Sequence, residues 1–121
     1  MRVSFAGGGT DLADYYKKHG GLVVNAAIDK SVFVIPTRRN DDKIYINYSR
    51  KEIVDTVEEI KHELVREAMH LTGIECGIEV TKLSDIPSEG SGLGSSSSFT
   101  VGLLTAFHTS CKLFANRRGG V

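Results

Sequence analysis

At 121 residues, with 15 basic and 15 acidic side chains, the chain has the length of one small domain able to bury a core. The balanced charge argues against nucleic acid as the main partner, which needs a basic face, and no apolar run reaches membrane-spanning length. No charged-then-apolar signal segment opens the sequence, and Cys76 and Cys111 lack metal-ligand spacing, which together suit free thiols in a cytoplasmic protein.

In chain order, Arg2–Ala6 predicts a short strand that Gly7, Gly8 and Gly9 break. Thr10 or Asp11 can cap a short helix over 12–18, which Gly20 and Gly21 end. Residues 22–28 are apolar and β-branched enough for a strand, and Asp29-Lys30 can turn the chain into another over 31–37. Pro36 limits how centrally that strand can sit. Ile44 and Ile46 alternate with Lys43, Tyr45 and Asn47, a half-buried strand pattern. Ser49 and Glu52 fit a capping box, and Ile53, Val57, Ile60, Leu64, Ala68 and Leu71 follow helical spacing up to Gly73. Over 50–59 the β-branched residues also suit an extended segment. Ile74, Cys76, Ile78 and Val80 alternate as in a strand, 83–94 is a loop, and a helix runs from Ser95 to about Leu113. The predicted order is β-α-β-β-β-α-β-α, an α+β domain.

The loop carries the strongest functional signal. Gly90, Gly92 and Gly94 alternate just ahead of Ser95, Ser96, Ser97 and Ser98, and an apolar, helix-favouring run follows at once. Glycines let a backbone approach a ligand closely. The first N–H groups of the helix have no partner inside it and sit at the positive end of its dipole. Together they make a site for an anion, most simply a phosphate. The Walker pattern fails because no Lys follows these glycines, and G-x-G-x-x-G fails because its third glycine position holds Ser97 or, from Gly7, Leu12. A Gly/Ser linker is the bland alternative, but a strand before and an apolar helix after are an odd setting for one. Four serines exceed what capping needs and suit phosphate oxygens or a magnesium ion. The segment Gly7 to Asp11 fits a tight turn with a helix cap; its functional reading makes Asp11 an acceptor for substrate hydroxyls.

Together the two loops resemble the GHMP kinase family, named for galactokinase, homoserine kinase, mevalonate kinase and phosphomevalonate kinase. Its second motif, P-x-x-x-G-L-G-S-S-[AS], is matched by Pro87-Ser88-Glu89-Gly90-Ser91-Gly92-Leu93-Gly94-Ser95-Ser96-Ser97 with one extra loop residue. Arg2-Val3-Ser4-Phe5-Ala6-Gly7-Gly8-Gly9-Thr10-Asp11 resembles its first motif, in a form closest to the heptose 7-phosphate kinase branch. The resemblance implies transfer of a phosphoryl group from ATP, with Mg2+, to a hydroxyl of a sugar or sugar phosphate. It implies that Gly90, Ser91, Gly92, Leu93, Gly94, Ser95, Ser96 and Ser97 cradle the ATP phosphates, with Ser96 as magnesium ligand. It implies that Gly8, Gly9, Thr10 and Asp11 meet the sugar and that Arg2 stabilises charge at the reacting groups. It also implies a mixed sheet with helices on one face and a left-handed β-α-β crossover.

Members of that family are longer and have two domains, so the resemblance assigns residues 1–115 to part of a GHMP kinase N-terminal domain and 116–121 to a tail unlike the family. By itself such a chain is expected to bind nucleotide or phosphate without turnover, and an open strand edge would favour a homodimer. Asp14, Asp29 and Asp85 read as solvated or capping carboxylates rather than a catalytic base, and His19, His62, His70 and His108 as surface residues.

Overall fold

The computed structural model describes residues 1–87 and 91–118, with side chains up to Leu113. Strand β1 (Arg2–Ala6) pairs antiparallel with β2 (Val24–Ala27), from Arg2 opposite Ala27 to Ala6 opposite Val24. Between them the chain makes a 3-10 turn over Gly8–Asp11 and the short helix α1 (Ala13–His19). Then come β3 (Val32–Arg38), β4 (Ile44–Asn47), β5 (Lys51–Val54), α2 (Glu63–Thr72), β6 (Ile78–Ser84) and α3 (Ser95–Arg118). The four later strands form one sheet in the order β3-β6-β4-β5. Strand β6 runs antiparallel to β3 and parallel to β4, so the sheet is mixed and the fold α+β, as predicted. Pro36 lies on the edge strand β3, where its missing N–H costs no central ladder bond.

Alternation decides which face is covered. Val32 and Val34 of β3, Ile44 and Ile46 of β4, and Ile78 and Val80 of β6 share one face. They pack against Phe99, Leu103 and Phe107 of α3 and Val65, Ala68 and Met69 of α2, which together form the core. The opposite face leaves Phe33, Ile35, Ile53 and Leu83 exposed.

Two local predictions change. Residues 51–54 form a strand rather than the first turns of a helix, because Ile53 and Val54 are β-branched and pair with β4. Ser49 and Glu52 therefore form no capping box. Glu52 instead accepts hydrogen bonds from the N–H groups of Lys61 (2.7 Å) and His62 (3.2 Å) and from the Tyr48 hydroxyl (2.9 Å). It thus serves the start of α2 from a neighbouring strand. The last strand also begins later than its alternation suggests. The Ile74 N–H donates to the Met69 carbonyl at 3.2 Å behind the left-handed Gly73, so Ile74 closes α2. The ladder runs on through Ser84.

Candidate functional site

Helix α3 opens after a loop in which Gly92 and Gly94 have φ of 68° and 73°. This left-handed backbone is open to glycine and strained for other residues. Ser95 is buried at the helix start, whereas Ser96 and Ser97 are exposed. The Ser98 N–H closes the first turn onto the Gly94 carbonyl at 3.0 Å. Among the described residues, neither the N–H groups nor the hydroxyls of Ser96 and Ser97 make a hydrogen bond. No acidic residue stands in the first turn to neutralise the helix dipole. The predicted contribution of Gly90 lies outside the described residues.

Contacts from below hold this helix start in place. The Phe99 ring, one turn on, lies 5.4 Å from the His62 ring, and the Lys82 ammonium stands 4.6 Å from its centroid. His62 also meets the Tyr48 ring edge-on at 4.8 Å, so it is a half-buried packing residue rather than the surface residue predicted. Burial pushes the Glu52 carboxyl up, but the donors from Lys61, Tyr48 and His62 outweigh it and hold the group below its ordinary value.

The first strand reaches the same loop. The Arg2 N–H donates to the Leu93 carbonyl at 3.0 Å. A Cβ placed on Gly94 would lie 3.5 Å from Arg2 Cγ and 3.8 Å from its Cζ, so the Arg2 side chain runs along the loop's last residue. Among the described residues no carboxylate pairs with that guanidinium. The Arg2 guanidinium thus lies against Gly94, the residue just before helix α3. Ser91 accepts a hydrogen bond from the Leu93 N–H at 3.4 Å, which shapes the loop from within.

Gly8, Gly9, Thr10 and Asp11 lie at the other end of β1. The glycine that this turn requires is Gly7: its φ is 87°, and a Cβ there would stand 1.8 Å from the Leu22 carbonyl oxygen. A Cβ on Gly8 or Gly9 would meet nothing within 4 Å, so the space above them is open. The Thr10 hydroxyl donates to the Gly7 carbonyl at 2.7 Å and accepts from the Leu22 N–H at 3.2 Å, which ties the turn to the segment entering β2. Asp11 is exposed and makes no hydrogen bond among the described residues. It lines a cleft of about 280 Å3 with Thr10, Tyr16, Gly21 and Val23. Tyr16, Gly21 and Val23 were not among the predicted site residues. Their only sequence signal is the Tyr15-Tyr16 pair and Gly20-Gly21 a short helix after Asp11.

The GHMP kinases N terminal domain family matches residues 47–118, more than half of the sequence. The chain belongs to this family. A curated relative, the D-glycero-alpha-D-manno-heptose 7-phosphate kinase of Campylobacter jejuni, is 34% identical over 122 residues, 88% of this chain and 35% of the relative. Among solved structures, a D-glycero-D-manno-heptose 1-phosphate kinase from Bacteriodes thetaiotaomicron superposes with a TM-score of 0.75 at 27% identity over 88% of this chain and 39% of that one. A Campylobacter jejuni protein described as a sugar kinase gives a TM-score of 0.70 at 28% identity over 93% of this chain and 38% of that one. The chain thus spans about a third of the length of the curated relative, 35%. The family resemblance and the mixed α+β architecture both hold, and the heptose-phosphate branch to which the Gly7–Asp11 form pointed is that of two of these similar proteins.

Proposed function

We propose that the chain is the nucleotide-binding part of an ATP-dependent sugar or sugar-phosphate kinase, with heptose 7-phosphate as the favoured acceptor. The observation that carries this reading is the cup at the start of α3: N–H groups and hydroxyls of Ser96 and Ser97 unbonded among the described residues, with the Arg2 side chain against Gly94 just before them. Such a cup fits a polyphosphate, because main-chain donors and a fixed cation meet its charge without reorganising.

Phosphoryl transfer is mostly positioning and charge neutralisation. In this reading the N–H groups of Ser95, Ser96 and Ser97 orient the phosphates, and Gly92 and Gly94 let the backbone come close. Arg2 stabilises the charge that spreads over the transferred group. Among the described residues no group of three or more His, Cys, Asp or Glu is placed to hold a metal ion. A magnesium ion, which supplies further charge neutralisation when bound, would be held by the Ser96 hydroxyl together with phosphate oxygens. Asp11 accepts from sugar hydroxyls at the far end of β1.

Calorimetry with ATP and magnesium on the full chain tests the cup. Binding is expected, and Ser96→Ala should weaken the magnesium-dependent part by about tenfold, on the scale of one lost charge-assisted contact. No heat at millimolar ligand would remove the reading. A second reading, binding without turnover by this chain alone, is supported by its span of 35% of the curated relative. ATP hydrolysis or sugar phosphorylation by the isolated chain would overturn it.

A further inference from the structure

We propose that Tyr16 is the residue that holds the sugar ring, and that the cleft it shares with Asp11 takes the neutral, hydroxyl-bearing part of the substrate rather than its phosphate. This rests on the sugar-kinase reading above and names how the acceptor lies.

The cleft has one charged wall and no cation: Thr10, Asp11, Tyr16, Gly21 and Val23 line it. At about 280 Å3 it lies just below the roughly 300–1,000 Å3 of pockets for drug-sized ligands, a size for one small ring. Thr10 is already committed to the Gly7 carbonyl and the Leu22 N–H. That leaves the Asp11 carboxylate as the polar group for a ligand; it lacks a hydrogen-bond partner among the described residues. An ionised carboxylate accepts hydrogen bonds only, so it suits neighbouring hydroxyls and repels a phosphate dianion. Tyr16 is 45% exposed, and with Val23 it gives the cleft an apolar side. A sugar ring presents hydroxyls at its edge and C–H groups on its face, which matches a carboxylate beside an aromatic plane. The phosphate of a sugar phosphate must then lie away from Asp11, outside this cleft.

The test uses the full chain with labelled tyrosine rings and follows the Tyr16 resonances by NMR. D-glycero-D-manno-heptose and its 7-phosphate should each move them to a similar extent, while inorganic phosphate leaves them in place. Tyr16→Ala should weaken heptose binding about tenfold or more, whereas Tyr16→Phe, which keeps the ring and the fold, should stay within about threefold. Unmoved Tyr16 resonances with both sugars, a shift with phosphate alone, or equal losses in the Ala and Phe variants would each overturn the proposal. A separate ATP–magnesium titration, read at the Ser96 and Ser97 amides, tests the kinase reading on its own. Failure there with intact Tyr16 shifts would sink the kinase and leave the sugar cleft standing.

Discussion

The two parts of the molecule are built in opposite ways. Among the described residues, every fully buried one lies in the four-stranded sheet, in the two helices on it or, as Ile60, in the segment that leads into α2, and none of residues 1–43 is buried. The β1–β2 unit with α1 leaves Phe5, Leu12, Tyr15, Tyr16, Leu22 and Val24 exposed and is held by backbone: its own ladder, the Met1 carbonyl accepting from Ile28, and the Arg2–Leu93 bond. One part supplies stability and a rigid start for α3, and the other brings Arg2 and Asp11 to the site. Regions that must open or adapt are drawn from the low-stability end of a structure. Arg2 and Asp11 sit where few apolar contacts would resist movement.

The largest expected effect lies in the stable part. Leu103 is fully buried between the sheet and α2, so Leu103→Ala should cost about 2–5 kcal/mol by urea unfolding. A loss under about 1 kcal/mol would mean that the core is not where stability resides. Gly7→Ala should do the reverse. The new Cβ would collide with the Leu22 carbonyl in a left-handed backbone, costing about 1–3 kcal/mol locally. Hydrogen exchange should then show β1 and β2 losing protection while β4 and β6 keep theirs. Equal loss in both parts would show that the two are one cooperative unit.

The sequence made the later part of the fold legible where apolar period and glycine punctuation agreed. Ile44 and Ile46, the Gly73 stop and the Ser95 start all stand where their patterns put them. It left 50–59 open between helix and extended segment, because Ile53, Val57 and Ile60 satisfy a helical spacing while the pairing that makes 51–54 a strand is with β4, which local spacing does not encode. The glycine–serine start of α3 was legible because glycines and serines act through the backbone at fixed offsets. The Asp11 cleft was only half legible: Val23 joins it through the Thr10 tie to Leu22, a contact twelve residues apart that no motif announces.

The smallest effect lies within the stable part, under the start of α3. Glu52 anchors the start of α2, and through His62 and Phe99 it supports the start of α3. Glu52→Gln keeps the shape but weakens three donors' acceptor, for about 1–2 kcal/mol at neutral pH. The sign of its pH dependence follows from the carboxyl being held below its ordinary value of 4.5. Its stabilisation is complete above that value and fades as pH falls through the lower folded value. The difference in urea midpoint between the native chain and Glu52→Gln should therefore be largest at pH 7 and shrink toward pH 3. Asp41, also lowered by its hydrogen bond from Arg39, titrates alike in both proteins and drops out of that difference. A gap that stays constant with pH would mean that the ionised carboxylate is not what holds Lys61 and His62, and that the helix start beneath the cup is fixed by ring packing alone.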